Sequence, residues 1–284
     1  MVKRSLIKIF IKNEKENTSE GGIIFSPFKK AKKFLLLFSG LSSIIILFLL
    51  IPIIFLLTTS DIEAISQTIN NKEALNSIFL SIEAGILAAS ISTFFSIPLA
   101  YIFSRSNFKG RSFIESLLDL PLVMPHTVAG IAILLTFNSR APIGAFLSSI
   151  GFRIEDSLWG IVLAMMYVSA PFSINFSEQG FKNVDVSLEK AARSLGAGPF
   201  KTFITVSLPL AVRSIIIGWL MSLARAISEV GAIMIVSYHP IVGSVLVYEW
   251  FTIKGLKLAA SLSILLLAVS FIILAILRLL EWRK

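Results

Sequence analysis

Apolar residues run almost without interruption through six stretches of the chain, residues 34–58, 76–103, 112–137, 158–176, 207–236 and 258–277, and polar positions collect between them. A hydrocarbon layer of about 30 Å is crossed by roughly 20 apolar helical residues, so each stretch has the length of one crossing. Inside lipid, only a helix or a closed barrel satisfies every backbone hydrogen bond. A barrel would show short strands of alternating hydrophobicity, which this sequence lacks. The pattern therefore predicts an all-α, polytopic membrane protein with six transmembrane helices. The first stretch is about twice as long as a 7–15-residue signal core and is followed by no evident small-residue cleavage site, so it is expected to stay as an anchor. Ahead of it lies a basic tail, 1–33, whose polar segment 13–22 carries too little hydrophobicity to fold alone.

Composition agrees with the pattern. Of 284 residues, 55% are hydrophobic and 15% are charged, and the mean hydropathy is +0.85. Soluble domains carry roughly 25% charged residues. Without cysteine, the chain has no disulfide, zinc-thiolate site or thiol nucleophile.

The net charge of +9 could suggest nucleic acid, but its placement argues for a lipid bilayer instead. With the N-terminus inside, inner segments hold 19 Lys and Arg, outer segments hold five (Lys72, Arg140, Arg153, Lys254, Lys257), and Arg213 and Arg225 fall within the fifth stretch. Positive residues favour the cytoplasmic side, so both termini, including the basic end 278–284, are expected in the cytoplasm of a multi-pass plasma-membrane protein.

The segment between the fourth and fifth stretches is the most informative. Asp185 or Ser187 can cap a helix start. Leu188, Ala191, Ala192 and Leu195 then recur at i, i+3, i+4 and i+7, which marks an apolar stripe on a short helix. Gly196 supplies a left-handed stop, and Pro199 suits the first turn of the next helix. Such a helix fits a groove on another protein or rests on the lipid surface.

This loop resembles the "EAA" signature of ABC-importer membrane subunits: Glu-Ala-Ala, three residues, Gly, nine residues, then an aliphatic residue, any residue, Leu and Pro. Ala191, Ala192, Gly196, Val206, Leu208 and Pro209 match it. The signature's Glu falls on Lys190, with Glu189 one place earlier, which turns the acid by about 100° around the helix. The resemblance covers residues 74–277. The runs from Asp119 to Ala132 (DLPLVMPHTVAGIA) and from Ala224 to Ala232 (ARAISEVGA) are similar to molybdate/tungstate permeases, with sulfate permeases close behind. The run from Tyr238 to Phe251 is most similar to the archaeal tungstate/molybdate type. This resemblance implies a type I ABC importer permease fold and two copies of the chain seated on two ATPase subunits. It further implies an extracytoplasmic binding protein that delivers the oxyanion. Leu188, Glu189, Lys190, Ala191, Ala192, Leu195, Gly196 and Pro209 would then couple to the ATPase.

The bare chemistry points the same way. No GxxxxGK[ST] phosphate loop occurs, so ATP and Mg are expected on a partner and no cofactor on this chain. Two partner ATPases and one coupling loop per chain imply a homodimer. No HExxH or other convergent reactive set appears, so neither catalysis nor a metal site is expected.

Arg225 lies about 18 Å along a helix from Arg213 and hence near mid-membrane, where a charge costs on the order of 3 kcal/mol unless paired or in a watery path. Glu229, one turn on, can pair with it, beside Ser228. Either this pair lines the path or gate for an anion, or it only fixes helix packing. Pro121 and Pro125 break the third stretch. A helix restarting at His126 and Thr127 would offer N–H groups to an anion, whereas a plain kink would not. Arg213 is expected to snorkel at the membrane surface, and Gly218, Gly231 and the Ala/Ser-rich run 88–92 to allow close helix contact. The functional expectation is an oxyanion permease subunit that works by alternating access and carries tungstate or molybdate. Sulfate or thiosulfate cargo, or a gradient-driven carrier, are the alternatives.

Overall fold

The computed structural model describes residues 32–282, and every regular element among them is helical. The tail ahead of residue 32 and the last two residues of the basic end lie outside the described residues. The chain divides into two units, Met1–Phe55 and Leu56–Lys284. In the first, helix α1 (Lys32–Thr59, running on past the division) is apolar on all sides and buries none of its membrane-length window.

The second unit is built around three long helices, α3 (Lys72–Arg105), α8 (Leu158–Lys182) and α11 (Leu208–Ile227). Their starts follow from the sequence. Asn71 caps α3 by accepting from the Ala74 N–H, and Ser157 caps α8 by accepting from Gly160. Glu73 in the first turn of α3 and Arg105 in the last complement its dipole. In lipid no hydrophobic force drives helices together, so close packing of small residues has to do it. Ala84, Ala88, Ala89, Ser92 and Ala100 of α3 are buried, as are Ser169, Ser173 and Ser177 of α8. The Thr93 and Ser173 hydroxyls bond at 2.9 Å between the two helices. Gly218 of α11 approaches so closely that a Cβ there would stand 2.8 Å from that of Phe176.

The remaining elements wrap this centre. Helices α2 (Ile62–Ile69) and α13 (Gly243–Ile253) pack on α14 (Leu256–Trp282), α13 also on α3, and α12 (Gly231–Val236) on α6 (His126–Phe137). Five helices among the described residues are long and apolar enough to cross a membrane, and a sixth crossing is available if α6 and α7 (Pro142–Ser149), bent by 65°, count as one.

Two of the expected crossings need correction. The stretch 112–137 is not one helix: α4 (Arg111–Leu118) stops at Asp119, α5 (Leu120–Val123) stops at Met124, and α6 begins at His126. The stretch 207–236 is helical only to Ile227, breaks at Ser228–Val230 and resumes as α12. In both, continuous hydropathy hides an interruption of the helix.

Ionic groups gather at the two ends of the second unit. Arg105, Arg111, Glu178, Lys182 and Glu189 pair at one end, with Arg111 and Lys182 each 2.7 Å from the Glu178 carboxylate. At the other end Lys257 meets Asp61 at 2.5 Å and Lys254 meets Glu73 at 3.4 Å. Arg213 is exposed, and its guanidinium also donates to the Leu280 carbonyl in the last helix.

Candidate functional site

Two clusters bring together most of the residues singled out in the sequence. The first surrounds α9 (Val186–Ser194) at the Arg105 end. Asp185 caps the helix, its carboxylate accepting from the Ser187 N–H, and this bond holds the Asp185 carboxyl below its ordinary value. After α9 the backbone at Gly196 takes φ +88°, the left-handed stop that glycine accommodates. Pro199 opens α10 (Pro199–Thr202), which runs through a π-helical turn, Phe203–Ser207, into α11 with exposed Pro209 in its first turn.

The orientation of α9 is the reverse of a helix resting on its own protein. Leu188 is 47% exposed, Leu195 is 90% exposed, Lys190 and Ala191 are exposed, and Ala192 is half-buried. The buried side chain is Glu189. Its Oε1 accepts from Arg105 Nε (2.9 Å), Arg105 Nη2 (2.8 Å) and the Ser207 hydroxyl (2.6 Å), while Tyr101 donates to Oε2 at 3.4 Å. Arg105 also donates to the Val184 carbonyl. Burial alone would raise the carboxyl's pKa. The bonds from Arg105 and Ser207, with the Arg105 charge, outweigh burial and hold the pKa below its ordinary value. Glu189 therefore faces inward, unlike the other coupling residues expected on α9.

The second cluster forms where the two breaks meet. Pro125 precedes α6, and His126 begins it. Arg225 lies in the last turn of α11, and Glu229 lies in the break that follows. Arg225 Nη2 donates to Glu229 Oε2 at 3.0 Å and lies 3.0 Å from His126 Nδ1, which itself is 3.1 Å from Glu229 Oε2. One ring nitrogen either accepts from the guanidinium or, when protonated, donates to the carboxylate, so these two contacts alternate. Glu229 Oε1 accepts from the Ala232 N–H, and Ser244 of α13 donates to the Glu229 carbonyl. Ser228 lies 3.5 Å from Arg225.

Exposure divides this cluster. The Glu229 side chain is 1% exposed, that of Arg225 21% and that of His126 52%. Pro125, Thr127 and Ser228 are exposed as well. Thr127 takes no part in these bonds. Gly231 lets α6 come close, since a Cβ there would lie 2.8 Å from that of His126. A guanidinium and an imidazole edge thus remain partly open, held from behind by a buried carboxylate. Such a set can bind an anion and be neutralised when none is present.

Sequence reasoning paired Arg225 with Glu229, whose four-residue spacing makes contact local. It missed Arg105, Tyr101 and Ser207 around Glu189, and Arg111 around Glu178, because these partners are joined only by tertiary packing. No signal in the single sequence marks them. Among the described residues, no group of three or more His, Cys, Asp or Glu side chains is arranged to hold a metal.

Interrupted spans packed through small residues, with an exposed, capped helix at one end, make a polytopic helical membrane bundle. Residues 93–284 match the model of the binding-protein-dependent transport system inner membrane component family, and the chain belongs to that family. It is 40% identical over 88% of its length, and 97% of the relative's, to the molybdate/tungstate transport system permease protein WtpB of Thermococcus kodakarensis. It is 40% identical over 86% of its length to the WtpB of Pyrococcus abyssi, covering 94% of that relative. A chain in the crystal structure of a bacterial alginate ABC transporter, in complex with a periplasmic protein carrying an alginate pentasaccharide, has the same fold. Its TM-score is 0.68 at 18% identity, and the match covers 92% of this chain and 97% of that one.

Proposed function

We propose that this chain is the permease subunit of an ATP-driven importer that carries tungstate or molybdate inward across the cell membrane. Family membership makes it a transport component, and the names of its archaeal relatives supply the cargo class. The observation that carries the ATP-driven part is the outward apolar face of α9, with Leu188 and Leu195 uncovered beside Ala191 and its carboxylate turned in. An uncovered apolar face on a charged helix calls for a partner. The chain has no phosphate loop, so the partner is the subunit that binds ATP and Mg.

In this reading two copies of the chain present two α9 helices to two ATPase subunits on the cytoplasmic side, which the Arg105 end faces and to which the charge distribution assigns both termini. An extracytoplasmic binding protein hands the oxyanion to the opposite end, near Asp61 and Glu73. ATP-driven closure of the ATPases moves the α9 helices and opens the bundle outward, and hydrolysis restores the inward-facing state. Arg225 and His126, with Pro125, Thr127 and Ser228 beside them, meet the dianion on its path. Glu229 occupies the guanidinium when the anion is absent, so the path carries no uncompensated charge in mid-membrane.

The test is uptake into vesicles holding the reconstituted complex, with labelled tungstate, molybdate and sulfate. Saturable tungstate and molybdate uptake that requires ATP, compete with one another and resist excess sulfate would support the reading. Equal transport of sulfate would move the cargo to sulfate or thiosulfate. Uptake by this chain alone, without ATP or ATPase, would replace the importer with a gradient-driven carrier.

A further inference from the structure

We infer that Glu189 is an internal latch that carries the movement of α9 into the spanning helices, rather than an acid offered to the ATPase. The inference rests on the reading of α9 as the ATPase-docking helix. Three elements far apart in sequence meet on one carboxylate. Arg105 comes from the last turn of α3, Glu189 from the middle of α9, and Ser207 from the end of the π-helical turn that feeds α11. Glu189 is 4% exposed, and Arg105 clamps it through two nitrogens at 2.8 and 2.9 Å. A two-nitrogen guanidinium–carboxylate contact fixes orientation as well as distance. Because the carboxylate is buried, removing its guanidinium leaves an uncompensated charge. The latch therefore resists separation of α9 from α3 and α11 when α9 is pulled or pushed from outside.

The geometry also gives the latch a route to the second cluster. From Ser207 to Arg225 is 18 residues of nearly continuous helix, about 27 Å, ending on the guanidinium held by Glu229 and His126. The compliant part is the π-helical turn Phe203–Ser207, since i→i+5 turns interrupt the regular ladder and concentrate at functional positions. Ser207 closes that turn, and its hydroxyl is fixed to Glu189 at 2.6 Å. Displacement of α9 then acts on the irregular turn that leads into α11. The outward stripe of Leu188, Ala191 and Leu195 receives the partner, and the inward acid transmits the displacement. Adjacent positions on a single helical turn thus serve opposite sides.

The experiment uses the full complex in proteoliposomes: this chain, the ATPase subunit and the binding protein, with tungstate uptake and phosphate release read on one preparation. Glu189→Gln keeps the shape of the side chain and removes its charge. The expected result is an assembled complex that still hydrolyses ATP, while tungstate imported per ATP falls about tenfold, within the usual range of coupling energies. Arg105→Gln should behave alike, and the double variant should be no worse than either single one, because the two groups act as one unit.

Wild-type import per ATP in Glu189→Gln would overturn the latch. So would hydrolysis and uptake falling in equal proportion, the mark of a purely structural role. If Glu189→Gln does not assemble, Ser207→Ala, which removes one bond and no charge, carries the same test. An unchanged ratio there would also overturn the latch. Wild-type complex without ATP-driven uptake would overturn the importer reading itself, and the latch with it. That failure is told apart because it appears before any substitution.

Discussion

Two buried carboxylates, Glu189 and Glu229, are each clamped by an arginine, yet their surroundings differ in what they leave free. Around Glu189 the partners are themselves enclosed. The Arg105 side chain is 15% exposed, is spread over Glu189 and the Val184 carbonyl, and reaches across 84 residues of sequence. Around Glu229 the partners open outward, with His126 half-exposed and Arg225 sharing one nitrogen between imidazole and carboxylate. A closed clamp holds elements in register, whereas an open one can exchange its carboxylate for another anion. One ion-pair chemistry thus serves as a joint at one end of the unit and as a candidate anion site at the breaks.

Arg225→Ala gives the largest expected effect on this contrast. It strips a carboxylate that is 1% exposed of its guanidinium, a loss of about 3–5 kcal/mol for a broken buried pair. Thermal melting in detergent should fall and uptake should vanish. Arg225→Leu/Glu229→Gln should recover most of the melting temperature, since Gln still accepts from the Ala232 N–H, but none of the uptake. Recovery of uptake would make the cluster a packing device and erase the distinction from Glu189.

Gly130→Ala comes next. Its Cβ would lie 2.9 Å from the Ala232 backbone, so α6 and α12 must part, at a cost of about 1–3 kcal/mol. The same wedge should draw His126 away from Arg225 and lower uptake, with ATPase copurification unchanged.

Gly196→Ala probes the other end. The added methyl meets open space, so only the φ of +88° resists it, at about 1–2 kcal/mol. Ala191→Asp puts a charge on the exposed stripe and should leave melting alone while reducing ATPase copurification and uptake. Normal uptake in Ala191→Asp would remove α9 from the coupling role.

The pH dependence of Glu189 has a definite sign. Its folded pKa lies below the ordinary 4.5, so its contribution to stability is present above that value and is lost as the pH falls through the lowered one. The melting gap between the wild type and Glu189→Gln should persist from neutral pH down through 4.5 and close only below it. The smallest effect belongs to Lys254→Ala, which removes a surface pair with Glu73 and a contact over the Trp250 ring, at about 0.5–1 kcal/mol.

Some of these features were legible in the residues alone. The cap at Asp185, the stop at Gly196 and the start at Pro199 each follow from local backbone chemistry, and the structure has all three. The restart of a helix directly after Pro125 was one of two readings the prolines left open, the other being a plain kink, and the structure has the restart. The break at Ser228–Val230 was not, because no proline or run of polar residues marks it. There the Glu229 carboxylate accepts the Ala232 N–H, and Ser244 donates to the Glu229 carbonyl from another helix. Amphipathic spacing gave α9 a stripe of Leu and Ala suited to a partner groove or the lipid surface, and the structure leaves Leu188 and Leu195 uncovered. The spacing did not say that Glu189 turns inward, which packing decides.

The sequence by itself determined that the chain is a helical membrane protein. Backbone groups in lipid have no other solvent, and twenty apolar residues set one crossing. It also determined the pairing of Arg225 with Glu229, one helical turn apart. Only the tertiary structure decided that His126 joins that pair and that Arg105, Tyr101 and Ser207 converge on Glu189. These contacts bridge separations of 18 to 99 residues and depend on small side chains letting helices approach. A single sequence records the size of those side chains but not the neighbours they admit.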